Sequence, residues 1–242
     1  MEIIYSLIAA SAAMLGTLIV LMFHKWSEKN SFLIINFAAG VMLALAFTHL
    51  IPEGLELNSR TMIYVLLGFL IMFFLQFVVL FHPCYNEECS KHTGVTSIAG
   101  LSLHSIIDGL IIAVGFEVNN SIGILTTTAI LLHKLPDGIT ISGILLHSGA
   151  SKKKIFNFSL LTACFTPVGT ISGIFSFKDI STSVLGALLG LTAGSFIFLS
   201  ASDLIPETHK CKNRFAPVML FVGAIVILTV EYIIKFYAKA TE

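Results

Sequence analysis

Residues 37–54 read FAAGVMLALAFTHLIPEG and residues 191–208 read LTAGSFIFLSASDLIPET. The two stretches align without gaps, and seven of the eighteen positions are identical, among them Leu-Ile-Pro-Glu at 50–53 and 204–207. Each is an apolar run that ends on a proline and an acid. Self-similarity of this kind marks a fold built twice from one unit. The length of the runs says where that fold sits. About 20 consecutive apolar residues cross the ~30 Å hydrocarbon layer of a bilayer as a helix.

Outward from these two runs, the whole chain has the same character. Its 242 residues are 56% hydrophobic and 12% charged, where soluble domains carry about 25% charge. The mean hydropathy is +0.92. Twenty-eight charged side chains (14 cationic, 14 anionic) are too few to cover a soluble surface. Eight apolar runs lie between polar breaks, at about 3–23, 32–52, 61–81, 95–116, 121–147, 155–176, 182–206 and 215–237. The expected fold class is an all-α polytopic membrane protein of eight transmembrane helices, one domain over residues 1–242. The longest polar connection, His82 to Thr93, leaves no room for a separate soluble domain. The first run has no basic residue before it and no small-residue cleavage site after it, so a cleaved signal peptide is not expected. A net charge of zero excludes a nucleic-acid partner held by a basic surface. Four cysteines (Cys84, Cys89, Cys164, Cys211) are too scattered for a disulfide scaffold.

Orientation follows from lysine and arginine in the short loops. The odd-numbered loops hold Lys25, Lys29, Lys91, Lys152, Lys153, Lys154, Lys210, Lys212 and Arg214, whereas the even loops and termini hold Arg60, Lys178, Lys235 and Lys239. Nine against four places the odd loops in the cytoplasm and both termini on the non-cytoplasmic side. The second span then runs outward and the seventh inward, so the repeat is inverted. Spans 1–3 and 6–8 form its halves and spans 4 and 5 lie between them, a 3+2+3 arrangement of the kind transporters use.

A charged side chain centred in a span costs roughly 2.5–3.5 kcal/mol on insertion scales, so it is kept for a partner or a pathway. The fourth span contains His104-Ser-Ile-Ile-Asp108-Gly109 and the fifth His133-Lys-Leu-Pro-Asp137-Gly138. Histidine and aspartate four apart share one helix face, and the glycine that follows lets a neighbouring helix approach closely. Both pairs fall near the midplane of antiparallel spans, which makes a coordination site. Pro136 withdraws a hydrogen bond from the Leu132 carbonyl, so a kink and hydrated backbone are expected beside His133. His49 lies near the outer end of the second span, beside Pro52 and Glu53 and on the face of Met42. It reads as a further ligand or an entrance residue. His147 is four turns from His133 on nearly the same face and reads as an exit residue or an interfacial histidine. Cys164, in an apolar span, reads as a small packing residue.

With these residues in place, the chain resembles the ZIP (Zrt/Irt-like) divalent metal transporters over its whole length. The matching segments are GVMLALAFTHLIPEG, HSIIDG, HKLPDG and AGSFIFLSASDLIPE, in that order. The resemblance implies that His104, Asp108, His133 and Asp137 form the transport site, with Met42 and His49 reaching it from the second span. It also implies alternating access and a homodimer. Three positions depart from the family. Many members hold two metals, using Asn after the fourth-span His and an acid after the fifth-span His, where this chain has Ser105 and Lys134. Thr166 stands where Glu often precedes the sixth-span proline.

Charge arithmetic then sets the stoichiometry. Asp108 and Asp137 against Lys134 leave the metal-free site at −1; one divalent ion brings it to +1 and a second to +3, which a poorly screened interior disfavours. A single-metal site is expected, with the Lys134 ammonium where a second ion would sit. Mixed His/carboxylate ligands suit Zn²⁺ first, then Fe²⁺, Mn²⁺, Co²⁺ or Cd²⁺, and argue against all-oxygen binders such as Ca²⁺ and Mg²⁺. The ion is cargo, and no resident cofactor and no enzymatic activity are expected. Metal would enter past Glu53 and His49 and leave towards His147. The loop holding His82, Cys84, Cys89 and His92, together with Glu207 and His209 in the last cytoplasmic loop, would either receive it or be an ordinary solvated surface.

Two other classes fit less well. A haem-binding electron carrier uses intramembrane histidines but has no need of an aspartate four residues after each. An intramembrane metalloprotease activates a metal-bound water and calls for His-Glu-x-x-His, a string absent from this chain.

Overall fold

The computed structural model describes residues 1–80, 89–176, 182–206 and 215–240, with side chains except at 79–97, 216, 231 and 233–240. Every regular element among them is helical: α1 (Glu2–Met22), α2 (His24–Lys29), α3 (Ser31–Leu45), α4 (Ile51–Leu57), α5 (Thr61–Leu80), α6 (Cys89–Val118), α7 (Asn120–His147), α8 (Lys152–Ser176), α9 (Thr182–Phe198) and α10 (Ala216–Ala240). Seven stretches are long and apolar enough to cross a membrane, and an eighth, shorter apolar stretch, Pro217–Val230, lies in α10. In hydrocarbon each backbone N–H and C=O needs a partner within the chain, and a helix supplies it locally.

The two repeated segments share a backbone distortion. Between α3 and α4 the helix widens to a π turn over Ala46–Leu50, and after α9 it does so over Leu199–Leu204. The Ile51 N–H bonds back to the Ala46 carbonyl, and the Ile205 N–H to that of Ser200. These are equivalent residues in the gapless alignment. By contrast, α7 stays helical through Pro136 from Asn120 to His147. The π turns thus lie in the second and seventh spans and not beside His133. A π turn accommodates an extra residue without breaking the helix.

Close helix crossings are built on glycine. Gly138 of α7 faces the Ala13 carbonyl of α1, and Gly16 of α1 faces the Leu135 carbonyl of α7. In the same way Gly109 of α6 meets the Thr166 carbonyl of α8, and Gly169 of α8 meets the Ile106 carbonyl of α6. A side chain at any of these four positions would overlap backbone. Threonine hydroxyls seal both seams, Thr17 donating to the Gly138 carbonyl at 3.3 Å and Thr170 to the Gly109 carbonyl at 3.0 Å. The pairs α3–α10 and α5–α9 cross by reciprocal glycines as well, Gly40 with Gly223 and Gly68 with Gly194.

Cys164 corrects the sequence reading. The buried stripe of α8 runs through Ile155, Ser159, Thr162, Ala163, Thr166, Gly169, Thr170 and Gly173, and Cys164 lies off it, exposed. Its span is apolar on every face because lipid replaces water outside, so hydrophobicity alone does not reveal which face packs.

Candidate metal site

The site is carried by α6 and α7, which are held in place by α8 and α1 through the glycine seams. His104, Asp108, His133 and Asp137 each offer one ligand atom, and those atoms lie within 4.8 Å of one another. Asp108 is the hub. Its Oδ2 is 3.0 Å from His104 Nε2, 3.3 Å from His133 Nε2 and 2.7 Å from Lys134 Nζ. Asp137 Oδ2 lies 3.6 Å from His104 Nε2 and 3.4 Å from Lys134 Nζ. Ligands at zinc bond lengths of about 2.0–2.2 Å in a tetrahedron stand about 3.4 Å apart. The observed separations bracket that value, so small shifts suffice to close the four donors on one ion.

Burial is nearly complete: His104 and Asp108 are 0% exposed, His133 and Lys134 1%, and Asp137 6%. Ionised groups at such positions persist only when paired. His133 Nδ1 is 3.1 Å from the Ala129 carbonyl, which only accepts, so Nδ1 donates to it and the ring turns Nε2 towards the cluster, 3.3 Å from Asp108 Oδ2. This backbone anchor is the usual support of a ligating histidine. His104 is held by packing instead. Its ring lies 4.2 Å, centroid to centroid, from Phe196, which also sits edge-on to His133 at 5.4 Å.

The positions that depart from the family pattern lie around this cluster. Lys134 Nζ donates to Ser105 Oγ at 3.1 Å as well as reaching both aspartates. Thr166 is buried, and its carbonyl accepts the Thr170 hydroxyl at 3.2 Å. His49 is not among the four clustered residues. It sits on the π turn, with Nε2 3.2 Å from Glu53 Oε2. Met42 is buried in the main apolar core. His147 is 3.5 Å from Ser31 Oγ and packs edge-on against Phe32. His82, Cys84, Glu207 and His209 lie outside the described residues, as do the side chains of Cys89 and His92.

Three features were not singled out from sequence. The Gly16-Thr17 and Gly169-Thr170 dipeptides recur at nearly the spacing of the long repeat, and that spacing is the signal that finds them. Phe196 aligns with Met42, and Asp203 with His49. Asp203 is buried in the second π turn and accepts from Gln76 Nε2 at 2.7 Å.

Comparison with known proteins supplies the family. The family model described as ZIP Zinc transporter matches residues 85–231, more than half of the chain. This chain belongs to the ZIP zinc transporter family. Both site helices fall within the matched region. Among similar proteins, zinc transporter zipt-7.2 of Caenorhabditis elegans is 30% identical over 155 residues, covering 63% of this chain and 34% of that protein. Zinc transporter ZIP13 of Pongo abelii is 26% identical over 209 residues, covering 80% and 62%. Zinc transporter SLC39A7 of Rattus norvegicus is 33% identical over 121 residues, covering 48% and 26%. The chain thus spans between about a quarter and three-fifths of these ZIP relatives. With several membrane-length apolar helices, it is a multi-pass integral membrane protein.

Proposed function

We propose that this ZIP protein carries a divalent transition metal across the membrane, zinc before iron, manganese, cobalt or cadmium, through a single site formed by His104, Asp108, His133 and Asp137. The observation that carries this reading is the convergence of two histidine nitrogens and two carboxylates within 4.8 Å in a buried centre. Mixed N/O donors of that number suit zinc and its neighbours. A resident structural metal would call for the same donors. The family and the names of the relatives favour cargo.

Lys134 limits the site to one ion, because its ammonium lies against both carboxylates where a second cation would be repelled. The two π turns, the reciprocal glycine crossings and the sequence repeat support an inverted 3+2+3 architecture with alternating access. In that topology both termini face away from the cytoplasm. Metal would then arrive past the His49–Glu53 pair and travel inward. A homodimer in the bilayer completes the proposal. The haem alternative has no support in the geometry. Both histidine Nε2 atoms lie within 3.3 Å of one carboxylate oxygen, which leaves no place for a macrocycle between them.

The test is uptake of radiolabelled zinc into liposomes holding the purified chain. His104→Ala and Asp137→Ala are expected to abolish uptake while the protein still reaches the membrane. Normal uptake by both variants refutes the site. Equilibrium dialysis should find one tightly bound ion per chain, and two would remove the role given to Lys134.

A further inference from the structure

Lys134 is among the largest fully buried side chains among the described residues. A lysine so deep in an apolar interior is costly, and limiting the metal count does not by itself require it: a neutral residue would fill the same space. Its placement indicates a second task. Nζ shares Asp108 Oδ2 with both histidines and touches Asp137 Oδ2. The other oxygen of each carboxylate, Oδ1, is buried without a hydrogen-bond partner. Each aspartate can therefore offer one oxygen to an ion while the other stays near the ammonium. Beside Lys134 a small cavity of about 10 Å³ is bordered by Ser105, Asp137, Ser159 and Thr162, and Ser159 Oγ is buried there without a partner. It is about the size of one water, enough for Nζ to draw back when an ion arrives.

The charge states show what the ammonium changes. A ligand set that can accept a metal has neutral histidines and ionised aspartates, here His104, His133, Asp108 and Asp137. Without a lysine the site would be at −2 when unloaded and 0 when loaded with a divalent ion. With Lys134 the same two states are −1 and +1. The cost of holding net charge in a low-dielectric interior grows with its square. Lacking the lysine, the loaded carrier would cross easily and the unloaded carrier, doubly negative, would be held back. With it, the two crossings carry charge of equal magnitude. We propose that Lys134 is the tethered counter-cation of the unloaded site, the group that lets the carrier return across the membrane without a second cation. This rests on the carrier reading above and adds to it a residue that governs one step of the cycle.

Two assays on the same liposomes separate that step. Net uptake into metal-free vesicles needs the unloaded return. Exchange of external radiolabelled zinc against unlabelled zinc inside does not. In the 242-residue chain, Lys134→Met and Lys134→Gln are expected to lower net uptake about tenfold more than exchange, a difference in barrier of about 1.4 kcal/mol. Lys134→Arg should bring the ratio of the two rates back towards the parent value. An equal fall in both assays would make Lys134 a builder of the site and overturn the proposal, as would no fall in either. Loss of exchange in both neutral variants counts against it in the same way. If the parent chain itself shows no exchange, the carrier reading fails instead, so the two failures are distinguishable.

Discussion

Helices α6 and α7 carry the same signature, histidine, three residues, aspartate, glycine, and they use it unequally. On α6, Asp108 gathers both histidines and Lys134 on one oxygen. On α7, Asp137 reaches only His104 and Lys134, at longer distances. The histidines differ in the opposite sense: His133 is anchored to the Ala129 carbonyl, whereas His104 leans on the Phe196 ring. The difference teaches that a repeated local motif does not make a symmetric centre. Local spacing places each pair on one face; the rotation of each helix about its axis decides which carboxylate becomes the hub.

The largest effect that tests this asymmetry is on transport. Asp108→Asn should lower zinc uptake in liposomes by about a hundredfold, and Asp137→Asn by about tenfold. The gap of about 1.4 kcal/mol reflects one close partner more on Asp108. Equal losses would break the comparison. Next come the seams, where α6 and α7 should behave alike. Gly109→Leu and Gly138→Leu each drive a side chain into backbone, at the Thr166 and Ala13 carbonyls. Overpacking of this kind costs roughly 1–3 kcal/mol or more, and both variants should lose monodisperse protein on gel filtration in detergent. Survival of one would show that its seam opens more readily. The smallest effect concerns the hydroxyls. Thr17→Val and Thr170→Val each remove one buried hydrogen bond to a site-helix glycine, worth about 0.5–1.5 kcal/mol. A fall of a few degrees in melting temperature is expected for both, larger for Thr170, whose bond is shorter.

Much of this centre was legible before any coordinates. Aspartate four residues after histidine must share its face in any helix, and matched depth in two adjacent antiparallel spans must bring the pairs near each other. The family followed from the same strings. Other features were not legible. His49 reads as a further ligand or an entrance residue, and the structure pairs it, on the π turn, with Glu53 one turn on in α4. Cys164 was expected to pack, and it faces outward. Pro136 sits within a continuous helix, and the π turns of the second and seventh spans carry no signal of their own in the sequence. Each of these depends on which way a helix is turned or how its ladder slips, and an all-round apolar span does not encode that in its hydropathy. Phe196 was missed for a related reason: nothing in an apolar run distinguishes the phenylalanine against a ligand histidine from those facing lipid.

The sequence by itself determined that the chain crosses the membrane many times, that one unit occurs twice, and that a histidine and an aspartate share one face on each of two helices. These follow from composition and from the 3.6-residue period, which are local. Only the tertiary structure decided that Asp108 is the hub and that Lys134 spans both carboxylates. Those outcomes depend on the depth and rotation at which glycine seams lock α6 against α8 and α7 against α1. Backbone contacts between distant parts of the chain set that geometry, and no spacing within one helix encodes it.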